Sequence, residues 1–244
     1  MAAQARWQRT TRPDATVIVA HRGAWGTSAE NTLEAFEAAI ALGADMIEFD
    51  VRRTGDGRLV VCHDPKFDGL PLGGVRHCAL GGAGGAPPQL EDVLALACDR
   101  IAVNVELKER GCEGDVVQLL EQFGPDQCLL TSFHDDVVRR TKDAAPALTT
   151  GLIVGAYGSV SELFPAGRAR RARADVLVVH DRLAGAGVLG RTGIPCLVWT
   201  VNDPRRLTRR LSDPRVAGVI TDVPDVALRK RAMLIERTDL AAPC

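Results

Sequence analysis

A chain of 244 residues, 46% hydrophobic and 25% charged, is the size of one barrel-type domain or two small ones. Its net charge of −1 excludes a global attraction for nucleic acid or anionic lipid, so an anionic ligand must meet a local positive site. No run approaches the ~20 apolar residues of a membrane span. Seven scattered cysteines, without a C-x-x-C pair or zinc spacing, read as reduced thiols. The first ten residues carry no apolar stretch, and we expect a cytoplasmic protein.

After a flexible end at 1–13, the first predicted strand is 16–20, leading into His21-Arg22-Gly23. A helix follows, with Asn31 placed as its N-cap, and Gly43 hands it over to a strand at 46–51. In that strand Glu48 and Asp50 stand two apart and so face one side. Thr54-Gly55-Asp56-Gly57 is a hairpin-type turn, and Leu59 to His63 reads as an extra strand. We expect 52–64 to be a hairpin projecting above the rim, because a full antiparallel strand would carry His63 to the wrong end. From Gly69 to Pro88, paired glycines at 73–74, 81–82 and 84–85 predict a mobile loop or lid. It has no G-K-[ST] and does not read as a nucleotide cradle.

A helix at 89–98 leads to a strand at 101–107, where Glu106 and Lys108 repeat the two-residue spacing. Helices at 116–123, 135–144, 160–173 and 203–211 then alternate with strands at 128–132, 150–154, 175–179, 196–201 and 217–221. Gly193 and Gly218 are placed at helix-to-strand junctions, and a second flexible end begins at 237. Eight strands with seven or eight helices fit an α/β fold of the (β/α)8 TIM-type barrel class, as a single domain over 14–236, with a small hairpin and loop insertion after the second strand. A doubly wound sheet would explain the alternation equally well. It would not explain why His21, Glu48, Asp50, Glu106, Lys108, Ser132, Trp199 and Asp222 all fall at strand ends.

Glu48 and Asp50 sit in an apolar run, where two uncompensated carboxylates are costly. A divalent cation resolves that cost. Glu106 offers a third oxygen, and an all-carboxylate set suits Mg²⁺ or Ca²⁺ rather than zinc. Lys108 reads as a salt-bridge partner of Glu106, as a phosphate-binding cation, or as an imine-forming nucleophile, the last disfavoured by the carboxylates around it. His21 and His63 flank the acidic pair as candidate acid and base, with Asp64 placed to orient His63 or to cap the turn. Arg22 matches a phosphate bidentately. His134 and His180 are accounted for by loop polarity, and His77 reaches the site only if the glycine-rich segment folds inward. The basic run Arg168 to Arg173 spreads around a helix and reads as solvated.

Taken together, His21-Arg22-Gly23, Glu30-Asn31-Thr32, Glu48-x-Asp50-Val51, His63-Asp64, Glu106-x-Lys108, Ser132-Phe133, Trp199-Thr200-x-Asn202 and Thr221-Asp222 resemble the glycerophosphodiester phosphodiesterase family over nearly the whole chain. The resemblance implies a (β/α)8 barrel with an insertion after the second strand. It implies that Glu48, Asp50 and Glu106 hold one divalent cation and that His21 and His63 are the acid–base pair. Arg22 and Lys108 would bind phosphate, Trp199 would line the pocket, and Glu30 and Asn31 would support the first loop. The implied activity is metal-dependent hydrolysis of a small glycerophosphodiester to glycerol 3-phosphate and an alcohol. Two departures stand out: Ala29 replaces the usual proline, and the segment after His63-Asp64 is short and glycine-rich. The second would leave room for an acyl chain, so a lysophospholipase D-like activity is the alternative. A non-catalytic phosphate-ester-binding protein is a further one, although every catalytic position is filled.

Overall fold

The apolar pentapeptide Val17–His21 (β1) has partners on both edges, and these close the sheet. In the computed structural model, which describes residues 16–24, 26, 29–81, 85–155 and 164–241, β1 pairs with β2 (Met46–Arg53) on one side. From there the parallel order runs through β6 (Ala102–Leu107), β7 (Cys128–Ser132), β8 (Thr149–Val154), β9 (Val176–His180), β10 (Cys196–Trp199) and β11 (Val216–Thr221), which pairs with β1 again. The result is a closed eight-stranded parallel barrel, and each predicted strand begins and ends within two residues of its expected position.

Alternation sets its two faces. Val17, Val19, Met46, Leu129, Ile153, Val178, Leu197 and Ile220 fill the interior. The intervening residues, among them Ile47, Phe49, Val51, Val103 and Val105, pack outward beneath the helices. Those helices are α1 (Leu33–Leu42), α2 (Leu90–Ala97), α3 (Glu113–Phe123), α4 (Asp135–Ala144), α5 (Pro165–Ala172), α6 (Ala186–Leu189), α7 (Pro204–Leu211) and α8 (Pro224–Ala241). No described helix is long and apolar enough to cross a membrane. Helix α8 continues to Ala241, past the expected domain end at 236. The ends 1–15 and 242–244 lie outside the described residues.

Several expectations need correction. Asn31 is not the cap of α1. Thr32 is, its hydroxyl accepting from Ala35 N, while Asn31 takes a left-handed turn at φ 58°. Gly218 lies inside β11 rather than at a junction, where a Cβ would come within 3.1–3.2 Å of Val17 and Leu197. The strand expected at 196–201 ends at Trp199, and the helix expected at 160–173 begins at Pro165, residues 160–163 being outside the described set.

The glycine-rich segment is also more built than its composition suggests. A miniature hairpin of β4 (Lys66–Phe67) and β5 (Leu70–Pro71) leads into two 3₁₀ turns at 72–74 and 77–79. Leu72 and Leu80 are buried against Val60 and Cys62. The apolar residues between the glycines therefore anchor the segment to β3 (Leu59–Val61), which runs antiparallel to β2 with Val51 opposite Val61. His77 faces no site. Its backbone N–H donates to Asp56 and its Nε2 to the Pro87 carbonyl.

Gly23 is where the first loop leaves least room. Its φ is +91°, and a Cβ there would lie 2.7 Å from the Ala35 carbonyl carbon. Gly23→Ala is expected to lower unfolding free energy by about 1–3 kcal/mol, read as a shift in the urea midpoint. An unchanged midpoint would show that α1 can move away at no cost.

Candidate functional site

The chemistry collects at the C-terminal end of the barrel, where the inward-facing positions turn polar. Residues 48, 50 and 52 of β2 share one face, as do 104 and 106 of β6, with Lys108 just beyond. The ligand oxygens of Glu48, Asp50 and Glu106 lie within 4.8 Å of one another. These residues are 3%, 1% and 8% exposed, so no bulk water neutralises their charge.

Protein cations offset part of it. Lys108 Nζ lies 2.6 Å from Glu106 Oε1 and 3.2 Å from Asp50 Oδ1. The left-handed turn at Arg22 (φ 57°) swings its guanidinium inward, Nε reaching 3.2 Å from Asp50 Oδ2 while Nη1 donates to Glu30 at 2.7 Å. Arg22 N donates to Glu48 Oε2 at 3.1 Å, and Asn31 Nδ2 to Asp50 Oδ2 at 2.9 Å. Burial would raise Asp50, but Lys108, Arg22 and the Asn31 bond outweigh it and hold the carboxyl below its ordinary range. Glu48 is left with the surplus charge: burial first, then the neighbouring Asp50, pushes it up to about 8. Burial also raises Glu106 against the pull of Lys108. Three buried carboxylates with two fixed cations thus carry uncompensated negative charge that a divalent cation would neutralise, and an all-oxygen set fits Mg²⁺ or Ca²⁺.

The two histidines approach this cluster differently. His21 closes β1, and its Nδ1–H donates to Asp222 Oδ1 at 2.6 Å, leaving Nε2 3.9 Å from Glu48 Oε2. Asp222 is itself held by Asn202, whose Nδ2 donates to its carboxylate and whose Oδ1 accepts from its backbone N–H. Burial disfavours the His21 cation, but the Asp222 bond and the Glu48 charge prevail, so its pKa is raised. His63 comes from the insertion. It is 38% exposed at the side chain, with Nδ1 2.8 Å from Asp64 Oδ1.

One pocket gathers the predicted residues His21, Arg22, Glu48, His63, Glu106, Lys108 and Trp199, with Asp50 buried beside them. Sequence reasoning assigned no role to Asn104, Thr131 or Phe133, which also line it, although Phe133 stands in the Ser132-Phe133 motif. The alternation Asn104–Glu106–Lys108 was the available signal for the first. Thr131 Oγ1 donates to Asn104 Oδ1 at 2.9 Å. Phe133 stands edge-on to Trp199 at 5.5 Å, and Lys108 Nζ lies 5.8 Å from its ring centre. His180 also stands edge-on to Trp199, at 5.2 Å. His134, His180 and His77 do not line the pocket. Arg168, expected in solvent, instead pairs with Asp135 and donates to the Phe133 carbonyl, so it braces the pocket wall.

The sequence matches the glycerophosphoryl diester phosphodiesterase family over residues 21–75 and 88–226. A glycerophosphodiester phosphodiesterase of Bacillus altitudinis is 31% identical over 252 residues, covering 88% of this chain and 98% of the relative. Among solved structures, a glycerophosphodiester phosphodiesterase of Parabacteroides distasonis superposes with a TM-score of 0.78 at 25% identity, over 92% of this chain and 99% of the other. A phosphodiesterase of Oleispira antarctica, solved in complex with its product sn-glycerol-3-phosphate, has a TM-score of 0.77 at 24% identity, over 88% and 96%.

Proposed function

This chain belongs to the glycerophosphoryl diester phosphodiesterase family and is an enzyme of that class, and we propose that it cleaves glycerophosphodiesters to glycerol 3-phosphate and an alcohol with one divalent cation and two histidines. The observation that carries this reading is the convergence of three buried carboxylates, Arg22, Lys108 and two imidazoles on one pocket.

A divalent cation held by Glu48, Asp50 and Glu106 would supply Lewis-acid polarisation of the phosphoryl oxygens, an effect worth several kcal/mol. Arg22 and Lys108 lie on either side of Asp50 and meet the remaining phosphate charge. Asp222 fixes the tautomer of His21 with the proton on Nδ1, which offers Nε2 to the pocket as the base for the attacking oxygen. The Glu48 carboxylate, which favours the His21 imidazolium, would lose that influence once its charge was offset by a cation. His63, the more exposed of the two histidines, is the acid for the leaving alkoxide. Trp199 and Phe133 give the alcohol an apolar wall.

Release of glycerol 3-phosphate from glycerophosphocholine, abolished by EDTA and restored by Mg²⁺ or Ca²⁺, is the expected result. An EDTA-insensitive rate would remove the cation from the mechanism, and tight binding without turnover would favour the non-catalytic reading. Lysophosphatidylcholine should be the poorer substrate, because Leu72 and Leu80 seat the glycine-rich segment against the hairpin rather than leaving open space there. Faster turnover of the lysolipid would reverse that assignment.

A further inference from the structure

His63 is supplied from outside the barrel wall. It follows the short β3, and three bonds set the backbone that carries it. Cys62 N donates to the Asp50 carbonyl at 2.9 Å, and Cys62 Sγ donates to the Asp64 carbonyl at 3.4 Å. The third is Arg52 Nε, which donates to the carbonyl of His63 itself at 2.9 Å.

Arg52 is two residues beyond Asp50 and on the same face of β2 as both Asp50 and Glu48. Its side chain is only 14% exposed, and its Nη1 lies 3.7 Å from Glu109 Oε2. The other oxygen of Glu109 accepts from Arg53 N at 2.8 Å. Glu109 directly follows Lys108. One bracket therefore runs from the end of β6, through Glu109 and Arg52, to the backbone of His63. It joins the imidazole to the two strands that hold Glu48, Asp50, Glu106 and Lys108. Asp64, the partner of the ring, rides on the same loop as His63 and cannot set its distance from the barrel.

Arg52 does not line the pocket, so any part it plays in the reaction passes through His63. Proton transfer demands heavy-atom distances of about 2.6–3.2 Å, and a misplacement of about 1 Å costs on the order of 10²-fold. We infer that Arg52, backed by Glu109, is a positioning residue that sets the reach of His63 over the carboxylate cluster. This rests on the reading of His63 as a catalytic acid given above.

The test is a double-mutant cycle on the full chain with glycerophosphocholine. Arg52→Ala should lower kcat by about 10–100-fold, with KM and directly titrated Mg²⁺ or Ca²⁺ affinity changed by no more than about threefold. In a His63→Ala background the same substitution should cost no more than about twofold, since residues acting through one another are not additive. Arg52→Lys, which keeps one donor, should recover part of the rate, and Glu109→Gln should lose less than Arg52→Ala. If Arg52→Ala does not fold by circular dichroism, these two milder variants carry the cycle. Equal losses in the presence and absence of His63, or a raised KM with unchanged kcat, would overturn the inference. A His63→Ala enzyme at full rate would instead remove the catalytic role of His63 and, with it, this proposal.

Discussion

His21→Ala and His63→Ala are each expected to lower kcat by about 10²–10⁴-fold, the usual size of general acid–base catalysis. The two losses should part company when the leaving group changes. An alkoxide such as choline leaves only with a proton, whereas p-nitrophenolate leaves without one, so the His63 deficit should shrink on a p-nitrophenyl ester. The His21 deficit should persist, because the attacking oxygen must still be deprotonated. Asp222→Asn should give a smaller version of the His21 effect. It keeps a hydrogen-bonding group beside Nδ1 but removes the charge that fixes the tautomer. Equal His63 losses with both leaving groups would sink its assignment as the acid.

Cation binding is expected to release about one proton at pH 7 and almost none above pH 9, because Glu48 titrates near 8 in the cation-free site. Isothermal titration with Mg²⁺ or Ca²⁺ in two buffers of different ionisation enthalpy measures that proton directly. Apparent affinity should rise by about tenfold per pH unit up to about pH 8 and then level off. Glu48→Gln should abolish the proton release, weaken affinity, and be partly rescued by excess cation. The same raised carboxyl is expected to make stability depend on pH. Its folded-state value lies above the ordinary 4.5, so the folded cation-free protein holds the proton more tightly than the unfolded chain does. That stabilisation is complete below about pH 4.5 and is lost as the pH rises through 8, and the bound cation replaces it. Affinity independent of pH, with no proton released, would refute the assignment of Glu48 as the protonated ligand.

All eight barrel strands were legible because each is a short, largely apolar run, and the polar residues at the C-terminal ends of β1, β2, β6 and β10 also picked out much of the pocket. What escaped depends on distance or on competition between neighbours. Asn31 and Thr32 are both good caps in sequence. Only the left-handed turn at Asn31 frees its amide for Asp50 and leaves the capping to Thr32. Arg168 looks solvated within a basic run until the fold brings Asp135 beneath it. The unequal environments of Glu48 and Asp50, which raise the pKa of the first and lower that of the second, follow from Arg22 and Lys108 lying against Asp50, a detail of packing that spacing does not encode. Asp222 stood at a strand end, yet its partner is 201 positions away.

That separation has a consequence for how the enzyme comes into being. His21 belongs to the first strand of the barrel and Asp222 follows the last, and they meet only at the seam where β11 docks beside β1. Arg231, in α8, ties the C-terminal helix to the starts of β1 and β2 by donating to the Thr16 carbonyl and pairing with Asp45. Contacts so far apart along the chain form late, after their loop-closure entropy has been met. During synthesis, a ribosome-bound chain therefore displays both imidazoles and all three carboxylates well before Asp222 can anchor the first imidazole. On the proposed role of His21, full activity is expected only once β11 has docked beside β1, so turnover would report that the whole circuit has closed.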